Sequence, residues 1–124
     1  VFVVPEGFKH TKPNKAILQA FVRALPPKGP AIVLDVPSWK PEHVAALDAR
    51  VVPAYDPLKD ATPAHKKLAY VRLPGPAGHR SRYDEPSLEK VAEHLEGLHA
   101  EDVFCVFRNI DMQANAALLL KRLG

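Results

Sequence analysis

Short apolar runs alternate along the chain with longer stretches in which apolar residues recur every three or four positions. VFVV (1–4) reads as a strand that stops at Pro5. NKAILQAFVRAL (14–25) carries Ile17, Leu18, Phe21, Val22 and Leu25 at helical spacing, with Thr11 or Asn14 as N-cap and Pro26-Pro27 as terminator. AIVLDV (31–36) is a nearly continuous apolar strand, as expected where both faces are covered. KPEHVAALDA (40–49) reads as a short helix with Pro41 in its first turn. RVVPAYD (50–56) and KLAYVRL (67–73) are the third and fourth strands. EPSLEKVAEHLEGLH (85–99) is the clearest helix, with Leu88, Val91, Leu95 and Leu98 as its buried stripe. DVFCVFRN (102–109) is the fifth strand and QANAALLLKRL (113–123) the last helix. This alternation predicts an α/β fold, a parallel sheet flanked by helices over 1–124 as one domain. An open layered sheet and part of a barrel both fit, and in both, ligands bind at the carboxyl ends of the strands.

The strand ends therefore hold the candidate chemistry. In the fourth strand Leu68, Tyr70 and Arg72 share one face, and Ala69, Val71 and Leu73 the other. The small and branched set suits packing under helices, which leaves Arg72 on the opposite face near the strand's C-terminal end. A guanidinium there can grip a carboxylate or phosphate through two hydrogen bonds. It can equally pair with Asp35, which ends the second strand on the face of Ala31 and Val33. In the fifth strand Val103, Cys105, Phe107 and Asn109 share one face; Phe104, Val106 and Arg108 share the other. Asn109 offers a donor and an acceptor at this end, or serves to turn the following loop. Asn115 opens the last helix and ties that loop. Between them, PGPAGHRSRYDEP sets His79, Arg80 and Arg82 beside Tyr83, a basic cluster that either gathers anions or is a solvated surface. Asp35 and Asp56 are the weak candidates for acid–base catalysis.

Composition narrows the classes. The 47% hydrophobic and 25% charged content is that of an ordinary globular chain, and no apolar run approaches the ~20 residues of a membrane span. VFVVPEGFKH is too short and too early broken to be a signal peptide, so a cytoplasmic location is the default expectation. The absence of an initiator methionine fits a processed chain or one cut from something longer. The net charge of +3 permits anionic ligands without demanding nucleic acid. The single Cys105 excludes an internal disulfide and reads as a buried, inert thiol. Thirteen prolines beside one Met and one Cys either match the profile of heat-adapted proteins or reflect genome composition. The six histidines form no i,i+4 pair, no Cys pair exists for zinc, and neither a phosphate-binding glycine loop nor a GxSxG elbow appears. No metal and no cofactor is called for.

AYVRLPG (69–75), SRYDEPSLEKVAEHLEGL and DVFCVFRNIDMQANAALLLKRL resemble the C-terminal part of the YecE-like family, a domain of unknown function. AIVLDVPSW (31–39) and FVVPEGFKHTK are similar to its upstream motifs. The resemblance implies a TIM-barrel-like fold of about half the usual length, a partial or reduced barrel. A homodimer is one way for so short a sheet to bury its open edges. Arg72, Tyr83, Asn109 and Asn115 keep the family's residue types. Val33 stands in place of Glu, Asp35 of Arg, Pro74 of His and Arg108 of the first Asn of a pair, while Val36 replaces a residue that is often His.

The resulting expectation is a non-catalytic protein with an anion-accepting pocket built from Arg72, Asn109, Tyr70, Tyr83 and Asn115. One alternative is an enzyme acting on a small phosphate- or carboxylate-bearing substrate, with Asp35 or Asp56 as general base. The other is a weak nucleic-acid binder using Arg80, Arg82, Lys66 and Lys67, which the lack of interleaved aromatic residues disfavours.

Overall fold

The computed structural model describes residues 1–63 and 67–124, in which five strands and four helices alternate, except that the fourth strand follows the third with no described helix between them. β1 (Phe2–Val3), β2 (Ile32–Asp35) and β3 (Val51–Pro53) form a parallel sheet in that order. β4 (Leu68–Leu73) and β5 (Asp102–Phe107) form a second parallel pair. The two meet just beyond β3. Tyr55 bridges Val71 in parallel register, its N–H donating to Tyr70 O at 3.2 Å while Arg72 N–H donates to Tyr55 O at 2.8 Å. All pairings are parallel and follow chain order, but the sheet does not close: among the described residues β1 and β5 each pair on one side only.

The helices start and stop for local reasons. Thr11 caps α1 (Lys12–Ala24) by accepting from Asn14 N–H at 3.2 Å, with Pro13 in the first turn. At its other end Arg50 donates to Val22 O (2.9 Å), which also accepts from Leu25 N–H, and to Pro26 O (3.1 Å) just past the helix. α2 spans only Pro41–Ala45, shorter than its apolar pattern suggested. Asp48 accepts from Arg50 N–H at 2.9 Å, and this Asx turn leads the chain straight into β3. Asp84 caps α3 (Glu85–Glu96) through Ser87 N–H at 2.8 Å. α4 (Met112–Leu123) lies against α3, joined at the surface where Arg122 bonds Glu89 and Glu96.

Side-chain parity sorts the core into layers. Ile32, Leu34 and Val51 pack with Leu18 and Val22 of α1 and Val44 of α2. Tyr55, Val71 and Leu73 pack with Leu88, Val91 and Ala92 of α3 and Leu119 of α4. Both groups lie on one face of the strands, so the helices cover that face. Val33, Val52, Ala54 and Tyr70 are buried on the other, joined by Leu68 and Val106. Strand residues and Ala54, just past β3, supply that inner cluster without any helix. The expected stripe of α1 is only half used: Leu18 and Val22 are buried, whereas Ile17 and Phe21 remain exposed at the β1 edge.

Candidate functional site

The inner face turns from apolar to charged at the C-terminal ends of the strands. Val33 gives way to Asp35 on β2, Val52 and Ala54 to Asp56 after β3, Tyr70 to Arg72 on β4, and Val106 to Arg108 after β5. Period-two geometry therefore gathers two carboxylates and two guanidiniums at one rim.

Asp35 is completely buried there and receives both arginines. Arg72 Nη1 donates to its Oδ1, and Arg108 Nη1 lies 3.2 Å from its Oδ2. The contact to Oδ2 is an ion pair and not a directed hydrogen bond; among the described residues neither this oxygen nor Arg72 Nε has a hydrogen-bond partner. Arg72 itself is 8% exposed, whereas the Arg108 side chain is 36% exposed. The predicted Asp35–Arg72 pair is thus present, and a second arginine shares its carboxylate.

Above this group lies an open cavity of about 440 Å³, lined by Arg72, Arg108, Asp56, Lys59, His79 and Pro74. Asp56 is buried, accepts from Leu58 N–H at 3.0 Å, and has its pKa raised chiefly by burial. Glu6 and Asp60 stand at the edge of the same cavity. Arg108, Lys59, Asp60 and Glu6 were not expected from the sequence as site residues. For Arg108 the signal was available, because alternation along β5 puts it on the face of Phe104 and Val106.

Pro74 and the following loop form the outer wall. Gly75 adopts φ +106°, and a Cβ at this position would lie 2.0 Å from Gly78 O, so only glycine fits the turn. Its N–H donates to Tyr83 Oη at 2.7 Å, and His79 Nδ1 lies 3.3 Å from Arg108 O, which draws the loop over the strand end. Arg82 pairs with Asp111 and Arg80 is exposed. Lys66 lies outside the described residues, and Lys67 is exposed.

Three expected ligand contacts sit behind this wall. Asn109 shares the helix-facing side of β5 with Cys105 and Phe107 and is 1% exposed. Its Nδ2 donates to Asn115 Oδ1 (2.7 Å) and Ser81 O (3.2 Å). Asn115 in turn accepts from Tyr83 N–H and donates to Tyr83 O, both at 3.2 Å. Tyr83, packed edge-on against Phe107, has its pKa pushed up to about 12, mainly by burial. These residues hold loop, strand and α4 together, and none lines the cavity. Tyr70 lies deeper on the inner face, stacked on Phe104 with ring centroids 6.3 Å apart. Cys105 is half-buried, and burial pushes its thiol up to about 11, away from the reactive thiolate.

Among the described residues no three His, Cys, Asp or Glu side chains converge as a metal site needs, and no helix is long and apolar enough to cross a membrane. Compared with family models, with curated proteins and with solved structures, the chain finds no match.

Proposed function

We propose that this chain binds a small anion, phosphate- or carboxylate-bearing, in the cavity at the strand ends, and that it does so without catalysis. One observation carries this reading: two guanidiniums share a single buried carboxylate, Asp35, Arg72 Nε has no hydrogen-bond partner among the described residues, and both arginines line an open cavity. Arg108, more exposed than Arg72, is the primary contact; Arg72 holds Asp35 and presents the second cation. Lys59 and His79 add positive charge from the loops. Glu6 and Asp60 at the edge disfavour polyanions, which argues for a compact ligand over a nucleic-acid backbone.

The proposed architecture is one half of a parallel barrel, supported by sequential strand order, helices on one face and a rim of polar strand ends. Membership of the YecE-like family and a cytoplasmic location belong to the same proposal, resting on the motifs and composition of the sequence. In that reading Arg72 is retained while Asp35 and Pro74 occupy positions where relatives carry other polar groups.

The test is calorimetric titration with inorganic phosphate and with succinate. At least one should bind saturably, and Arg108→Gln should weaken it by about tenfold or more, the loss of one charge-assisted contact, with the circular dichroism spectrum of the folded chain unchanged. Absence of saturable binding, or equal binding by the variant, overturns the proposal. A second reading, acid–base catalysis on such a ligand, is favoured by Asp56 alone, buried with a raised pKa in the same cavity. Turnover of a simple phosphate ester by the unmodified protein, lost in Asp56→Asn, would replace the first reading with the second.

A further inference from the structure

The chain exposes 7700 Å² of surface, whereas a compact monomer of its 13.7 kDa mass exposes about 6,600 Å². The excess, about 1,100 Å², exceeds the ~800 Å² that each partner contributes to a standard protein interface.

Most of the exposed large apolar side chains fall at the two free edges of the sheet. At the first edge are Phe2 and Val3 of β1, with Ile17 and Phe21 of α1 beside them. At the second are Val103 and Phe104 of β5, with Leu120 and Leu123 of α4. Leu118 is different, since it lines the groove between α3 and α4.

The two edges are complementary in kind. A helix that follows a strand in a right-handed parallel unit packs over that strand and the next one. α1 does this with β1 and β2: Phe21 meets Phe2 edge-on at 5.0 Å, and Leu18 and Val22 reach Ile32 and Leu34. α4 follows β5, which has no next strand among the described residues. An apolar groove of about 450 Å³ lies open there, walled by Val103, Cys105, Phe107, Leu119, Leu120 and Leu123. The missing occupant is a parallel strand edge with an apolar helix flank. The β1–α1 edge of another copy has that form.

We infer that two copies of this chain associate edge to edge, each copy's β5–α4 edge receiving its partner's β1–α1 edge, so that a two-fold rotation closes both sheets into one ring. Every strand then has two neighbours, and neither copy retains a free edge. The inference rests on the open edges and not on the anion site.

Sedimentation velocity from micromolar to near-millimolar protein tests it, with two exposed-site variants chosen to spare the core: Leu120→Glu on one edge and Ile17→Glu on the other. The unmodified chain should sediment as a dimer. Each variant alone damages both contacts of the ring and should sediment as a folded monomer, shown by an unchanged circular dichroism spectrum. An equimolar mixture of the two variants restores one undamaged contact and should regain dimer. An unmodified chain that stays monomeric throughout overturns the inference. So does a dimer that survives either variant alone, which would mean that like edges pair or that another surface associates.

Discussion

Arg72 Nη1 reaches Asp35 Oδ1 across an intervening strand: β2 and β4 are not neighbours, and the chain continuing β3 runs between them. Removing Arg72 leaves the buried Asp35 carboxylate with only the half-exposed Arg108 as counter-charge. Arg72→Ala should therefore cost about 3–5 kcal/mol of folding stability in urea denaturation. The double variant Asp35→Leu/Arg72→Met, which removes both charges at similar volume, should recover most of that loss.

Ala54 makes the reach possible. It lies on the inner face, 5% exposed, where a larger side chain would stand between the two strands. Ala54→Leu should cost about 1–3 kcal/mol by overpacking. Combined with Arg72→Ala its cost should be less than additive, because the pair that it obstructs is already gone.

Asn115 is expected to matter for stability and not for ligand affinity. Its side chain serves Tyr83 N–H, Tyr83 O and Asn109 at once, all in buried surroundings. Asn115→Ala should cost about 2–3 kcal/mol, mostly from buried groups left without partners, while phosphate affinity at saturating folded protein should stay unchanged.

Asp56 sets a pH dependence. Burial holds its pKa above the ordinary aspartate value, so the folded state takes up this proton more readily than the unfolded chain. The stabilising contribution is fully present below the ordinary aspartate range and is lost as pH rises through the raised pKa. Asp56→Asn keeps an acceptor for Leu58 N–H and removes the buried charge. It should therefore be more stable than the unmodified chain at neutral pH, with the gap shrinking as pH falls through the raised pKa and closed below about pH 4. Denaturation midpoints at the two pH values decide this.

The strands, their faces and the Asp35–Arg72 partnership were legible because period two needs only local information. The same parity sets Arg108 beside Phe104 and Val106, whereas Asn109, chemically richer, falls on the helix-facing side of β5. Asn109 makes its bonds under the helices instead. Lys59, Asp60 and Glu6 come from loops that carry no periodicity, so only the fold brings them to the cavity. Helical spacing marked Ile17 and Phe21 as apolar in α1, but it cannot say how much of such a stripe a neighbour covers. Whether the sheet closes depends on contacts among strands distant in sequence, and among the described residues it does not close.

The bridge at Tyr55 and Val71 is where a three-stranded unit with α1 and α2 meets a two-stranded unit with α3 and α4. Asp35 belongs to the first unit, Arg72 and Arg108 to the second, so the ion pairs act as a latch across a joint. An anion taken up by these arginines would draw on the same guanidiniums that hold Asp35. Its binding and the opening of that joint would then draw on one free energy, and amide exchange along residues 53–56 would report both.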